Sequence, residues 1–594
     1  MRLVISRTSA PHPSLAARCG AALAVLCALA ACNIAGNGAP SANAADKPAG
    51  AFMPTGLFGS YLAGRHAQHE RDYADAARFF AQALADDPDD FELMSRTLLL
   101  EASEGHIGEM VPLAGRVTAI DPSAAIASLV LIVDKVRHGD FAGAEPLAEA
   151  MPHDGIHKFV APLVLAWLKA GEGQPGPAAA ALAPLGETRG FGPLQEFHAA
   201  LIADLAGQND EAEQGYTKLM NAQPRLNWRT VQMLGNLYER TSRSDQAHAL
   251  YQRFLAETHE GDLVAPALVR SAKGETPPRR VASASDGLAE AFFDLGSIMN
   301  QGETMDLGLI YARLALFLKS DFPPAQMLVA DILEAQHRPA EALAINERID
   351  RKSPYGWSAR TRIVSDLESL GRTDEAIAEL KAMAAEQPDR AQALVQLGDL
   401  LRSKTRYKEA VEAYDAAASR FDAEAPRLWS FYYSRGVALE RAGDWGRAEG
   451  DLKKALELQP EQPMILNYLG YSWVDKGENL TDALKMIERA VQLRPNDGYI
   501  VDSLGWAHYR LGDFTKATEY LERAIELKPQ DPTINDHLGD AYWRTGRVAE
   551  ARSQWRRALL FKPEESEVKT IESKIDNGLG APGAPSSAAA SGGG

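Results

Sequence analysis

The chain has 594 residues, more than one hydrophobic core can organise, so it reads as several domains or as a repeat array. Its hydrophobic fraction, 46%, excludes a disordered body and a bundle of membrane spans. A net charge of −18, from 62 Lys and Arg against 80 Asp and Glu, argues against nucleic acid as a partner, because phosphate binding needs a basic surface.

The three cysteines, Cys19, Cys27 and Cys32, all lie near the start, which leaves the body without a disulfide, a thiolate metal site or a cysteine nucleophile. Arg2, Arg7 and Arg18 precede an apolar run, Cys19 to Ala31, that is too short to cross a bilayer and fits the core of a signal peptide. The run ends Leu29-Ala30-Ala31-Cys32, which resembles the lipobox of bacterial lipoproteins. That resemblance implies cleavage after residue 31 and acylation of Cys32. Cleavage after Ala42-Asn43-Ala44 is the alternative, but that site lies far beyond the apolar run. Loss of residues 1–31 takes the net charge to −21, 59 basic against 80 acidic residues. Asn33 follows the cysteine, and the absence of Asp there points to the outer membrane by resemblance to enterobacterial lipoproteins. Residues 32–55, rich in Ala, Asn, Gly, Ser and Pro, read as a flexible tether reaching roughly 25 Å.

Residues 56–257 read as degenerate helical repeats, centred near Gly64, Leu98, Ile132, Val164, Ala200 and Gly235, with Asp87-Pro88 and Asp121-Pro122 as helix terminators. Gly171-Glu172-Gly173-Gln174-Pro175-Gly176 matches G-x-G-x-x-G, but it follows a helix rather than a strand, so it reads as a turn. The pairs His66 and His69, and His153 and His157, read as solvated histidines, since no H-E-x-x-H accompanies them. Residues 258–287 read as a linker containing Pro277-Pro278-Arg279-Arg280, either an exposed hinge or a docking element.

Residues 288–576 repeat clearly. Leu504-Gly505 recurs as Leu538-Gly539, Gly512 as Gly546, Ala517 as Ala551, Ala524 as Ala558 and Pro529 as Pro563, each 34 residues on. Upstream, Gly296, Ala330, Val364, Gly398, Gly436 and Gly470 hold the same place, with a four-residue excess before Gly436. This pattern resembles the tetratricopeptide repeat, with small residues at positions 8, 20 and 27, Gly near 15 and Pro near 32. Small residues let two helices approach; Gly and Pro end them. The fold class expected is all-α, an α/α superhelical solenoid of fourteen units, eight clear and six degenerate. Residues 577–594 read as a disordered tail.

In tetratricopeptide arrays positions 2, 5, 9, 12 and 13 of the first helix line the concave groove. Here they carry Asn467, Tyr471 and Asp475, then Tyr499, Asp502, Trp506, Tyr509 and Arg510, then Asp536, Asp540, Trp543 and Arg544. Tyr471, Asp502, Trp506, Tyr509, Arg510, Trp543 and Arg544 are the candidate partner-binding residues, as aromatic anchors flanked by charge, with inter-repeat packing as their alternative role. Asp502, Asp536 and Asp540 would repel the terminal carboxylate that chaperone-binding members of the family clamp.

No catalytic residue, metal ligand or cofactor motif emerges, and the chain reads as a non-enzyme. Lipobox, tether and long repeat array together resemble proteobacterial outer-membrane lipoproteins that act as adaptors for periplasmic carboxyl-terminal processing proteases, above all over LNYLGYSWVDKGENL, VDSLGWAHYRLG and HLGDAYWRTG. That resemblance implies an envelope scaffold whose partners are such a protease and peptidoglycan hydrolases, with the membrane reached through the lipid. A scaffold for polysaccharide export and a cell-wall enzyme are the other readings.

Overall fold

The computed structural model describes residues 56–580 except 153, 223, 259, 422–427 and the side chain of Glu303. The signal peptide, Cys32, the tether, His153 and residues 581–594 lie outside the described residues. The chain falls into two compact units, residues 1–93 and 94–594. Among the described residues every regular element is helical, and the α/α solenoid expected from the 34-residue ladder is the fold observed.

Among the described residues fourteen helix pairs follow one another along the sequence, from Leu57–His69 with Tyr73–Asp86 to Pro532–Arg544 with Val548–Leu560. Their starts are capped where the sequence supplies a short carboxylate. Asp72, Asp140, Asp444 and Asp513 each accept a backbone N–H three residues on, so an aromatic residue opens the second helix (Tyr73, Phe141, Trp445, Phe514). The turn between paired helices needs a left-handed residue at position 15. Gly443, Gly477, Gly512 and Gly546 supply it at φ 89°, 73°, 83° and 80°. At position 8 the helices close up: a Cβ on Gly505 would meet Leu521 Cγ at 2.6 Å, and one on Gly398 would meet Tyr414 Cε1 at 2.6 Å.

From residue 284 onward each second helix packs on its own first helix and on the next one, while neighbouring first helices also touch: 463–476 with 498–510, and 498–510 with 532–544. First helices therefore crowd together on the inner face. The core is continuous through this stack, with Leu469, Ile487, Val501, Leu504, Leu521, Leu538 and Trp555 all buried.

The segment 258–287 is more than a linker. Gly261–Ala272 is a helix despite Pro266 within it, and it packs on Ser244–Thr258. Ser283 caps the next helix, Ala284–Met299, through a reciprocal bond pair with Asp286. Between these helices Pro277 and Val281 are buried, and the exposed hinge is replaced by a strap fastened to the preceding repeats. At the other end the array closes with Glu565–Asn577, which takes the place of a further first helix against Val548–Leu560. Gly578 packs on the Trp543 ring, and the Gly580 carbonyl accepts its indole N–H at 3.0 Å, so residues 577–580 belong to the fold and not to a loose tail.

Candidate functional site

The inner face has two parts with different fates. In the repeats between residues 94 and 258 it is filled by the chain itself. Helix 284–299 packs on first helices 157–171 and 192–205, and helix 305–318 packs on 125–137. The side chains there suit a core: Leu129, Val133, Val136, Trp167 and Leu201 are buried. Gly287 rests on the Trp167 ring, whose Nε1–H donates to His198 Nδ1 at 3.1 Å. Charged groups along the seam are paired. Arg229 bonds Glu290, Arg338 meets Glu104 at 2.6 Å, and Arg313 donates to the Ser103 carbonyl at 3.2 Å. The strap crosses the same face: Asn236 Nδ2 donates to the Pro278 carbonyl at 2.9 Å, and Arg279 donates to the Leu205 carbonyl at 3.1 Å beside Asp204.

In the last repeats no such helix crosses among the described residues. Position 2 of two first helices is exposed: Met464 at 42% and Tyr499 at 53%. Behind this opening the candidate residues form a layered cluster. Asp502 and His537 are buried and 3.0 Å apart. Trp506 lies parallel to His537, ring centroids 4.0 Å apart, and parallel to Tyr509 at 4.7 Å. Arg544 Nε donates to the Tyr509 hydroxyl at 3.3 Å. Asp540 accepts the Trp555 indole N–H at 2.9 Å, and Lys574 of the closing helix bonds both Asp536 (2.7 Å) and Asp540 (2.9 Å). Arg510 donates to the Asp475 carbonyl at 3.1 Å, at the rim.

Burial corrects part of the expected site. Tyr509 and Trp543 are 6% and 4% exposed and belong to the core between repeats, so they are not free platforms. Asp502 is likewise buried and engaged by His537. Trp506, Tyr471, Arg510 and Arg544 are half-buried and remain at the face. His537, Lys574 and Glu567 were not in the expected set. Only His537 carried a signal, an ionisable residue placed one after groove position 5.

Electrostatics follow the packing. Burial lowers the His537 pKa, but Asp502, with Asp536 and Asp540, outweighs it and holds the group above its ordinary value. Burial raises Asp540, and Lys574 offsets only part of that. Burial lowers Lys574, and the two carboxylates it bonds more than compensate.

The turn at Gly171–Gly176 joins helix 157–171 to helix 175–181, with Gly173 left-handed and Gly171 against the Phe141 ring. His66 and His69 are exposed at the end of helix 57–69.

A family profile described as Tetratricopeptide repeat matches residues 361–426, 433–498 and 503–566. These stretches are tetratricopeptide repeats. A TPR repeat-containing protein of Pseudomonas aeruginosa is 31% identical over 160 residues, 27% of this chain and 26% of that protein. The tetratricopeptide repeat-containing protein trd-1 of Caenorhabditis elegans is 26% identical over 209 residues, 34% of this chain and 24% of its own. The chain thus spans about a quarter of the length of these curated relatives. Among solved structures, one from the Cut9–Hcn1 hetero-tetramer of the APC/C is 14% identical, with a TM-score of 0.35 over 88% of this chain and 96% of that one. Tetratricopeptide repeats are protein-interaction scaffolds.

Proposed function

We propose that the chain is a non-catalytic envelope scaffold, anchored through a lipid on Cys32, that holds protein partners on the inner face of its C-terminal tetratricopeptide repeats. The observation that carries this reading is the contrast between the two inner faces. The N-terminal one is filled by residues 277–318, while the C-terminal one exposes Met464 and Tyr499 above a half-buried Tyr471 and Trp506. The anchor rests on Leu29-Ala30-Ala31-Cys32. The lipobox–repeat architecture supports an outer-membrane site facing the periplasm, and a carboxyl-terminal processing protease with its peptidoglycan-hydrolase substrates as the partners. Palmitate labelling of wild type and Cys32→Ala, with membrane fractionation, tests the anchor. Labelling that survives the substitution overturns it. Crosslinking in intact cells followed by mass spectrometry tests the partner. Crosslinks from residues 463–544 to such a protease are expected, and crosslinks confined to residues 94–258 would reject the site.

A further inference from the structure

The first and last helices of the array are finished differently. A terminal repeat lacks a neighbour on one side, and a polar outer face there keeps such an array soluble. The closing helix Glu565–Asn577 obeys this, since all of its exposed residues are polar. The opening helix Leu57–His69 does not. Phe58 is 81% and Leu62 66% exposed, one turn apart on one face. Leu62 holds position 6, the place from which His537 meets Trp506 of the preceding first helix. No first helix precedes Leu62 among the described residues.

Charge singles out the same helix. Leu57–His69 contains no Asp or Glu, and beyond Leu62 it exposes Arg65, His66 and His69. Arg65 donates to the Tyr61 hydroxyl at 3.3 Å and has no ion pair among the described residues. From Cys32 to His69 the chain carries Lys47 and Arg65 against Asp46, whereas residues 70–594 carry 57 basic against 79 acidic side chains. An anionic surface therefore attracts the first helix and repels the rest of the chain. The preceding sequence supplies that surface. Only 23 residues separate Cys32 from Gly56, a reach of roughly 25 Å, so a lipid on Cys32 keeps this helix beside the bilayer.

We propose that helix 57–69 lies on the bilayer that holds Cys32, with Phe58 and Leu62 in the boundary between acyl chains and headgroups and Arg65 among the headgroup phosphates. This rests on the lipid-anchor reading above and adds the protein surface that meets the membrane. The lipid sets the distance, and the helix sets which face of the first repeat is turned to the bilayer.

The probe is vesicles of phosphatidylethanolamine and phosphatidylglycerol. A chain of residues 33–594 contains every described residue, has no acyl group and has no cysteine, so His66→Cys takes a single NBD label. Titration with vesicles is expected to shift the NBD emission to the blue, and doxyl groups on the lipid acyl chains quench it. The same label at Val269→Cys, another exposed position, does neither. Phe58→Ser combined with Leu62→Ser raises the lipid concentration at half-shift at least tenfold. Arg65→Gln raises it at least threefold on these vesicles and leaves it unchanged on phosphatidylcholine. Melting curves show that each variant is folded. No shift with vesicles, wild-type affinity in the folded double variant, or equal quenching at the two labels overturns the proposal. So does a blue shift that grows with protein concentration without lipid, which makes a second copy the occupant. Palmitate labelling of Cys32 is read separately. Labelling without a vesicle response leaves the anchor and removes the helix contact, and a vesicle response without labelling does the reverse.

Discussion

Position 15 of the repeat shows how a backbone demand outlives the residue that best meets it. Thr405 occupies that place at φ 59°, as do His337 at 61°, Ser242 at 60° and Arg71 at 62°. A left-handed conformation is costly for L-residues and worst for a β-branched one. Thr405→Gly should therefore stabilise the array by about 1 kcal/mol, read as a higher melting temperature. At the inner face the expected signs are reversed from those of a surface anchor. Tyr509 is core, so Tyr509→Ala should cost on the order of 3 kcal/mol and lower the denaturant midpoint of the C-terminal repeats. Arg510→Ala, whose partner Asp475 is 62% exposed, should cost less than about 1 kcal/mol in the same titration. The groove positions were legible in the sequence from the 34-residue register together with its resemblance to the tetratricopeptide repeat. Which of them are covered was not, because that depends on His537 stacking on Trp506 of the neighbouring first helix and on Trp543 meeting Gly580 beyond the closing helix.

At the scale of elements, the closing helix is held by few groups. Lys574 is 12% exposed and bonds two carboxylates of the last first helix. Lys574→Ala leaves a buried Asp540 unpaired and should cost about 3–5 kcal/mol. Hydrogen exchange over residues 565–577 should then approach that of an unfolded segment. The same cluster has a pH signature. His537 and Asp540 both have raised pKa values, so the stability they contribute is present at low pH and is lost as pH rises through their folded-state pKa values. His508 and His157, lowered chiefly by burial, act in the opposite sense. The difference in melting temperature between wild type and His537→Gln isolates the term, and it should be larger at pH 6 than at pH 8. The sequence shows one of these elements and hides another. Residues 258–287 read as a linker, yet residues 261–272 form a helix with Pro266 inside it. Glu565–Asn577 carries a single buried apolar residue, Ile571, so its place in the array comes from contacts and not from an apolar stripe.

Across residues 94–580 the chain doubles back, with helices 284–299 and 305–318 lying on earlier repeats. Leu288, Ala291, Phe292 and Leu295 are buried in the intact protein. A truncated chain of residues 284–580, stripped of the helices it packs on, should self-associate on size exclusion although all its clear repeats are present. The same fold-back explains why the early units look degenerate. Their inner positions, such as Leu129, Val133 and Trp167, answer to a helix from elsewhere in the chain and not to the repeat pattern.

The seam between Glu104 and Arg338 joins residues 234 positions apart, and Ser103 meets Arg313 across 210. A repeat array ordinarily folds by neighbour-to-neighbour growth, with no distant contact to wait for. Here residues 94–258 present an apolar surface from the moment they form, and its cover is synthesised only when the chain has passed residue 318. At roughly 5–20 residues per second the exposed interval lasts several seconds or more. During that interval a holdase has a surface to grasp, and completion of the N-terminal half is slower than its local helix content alone would set.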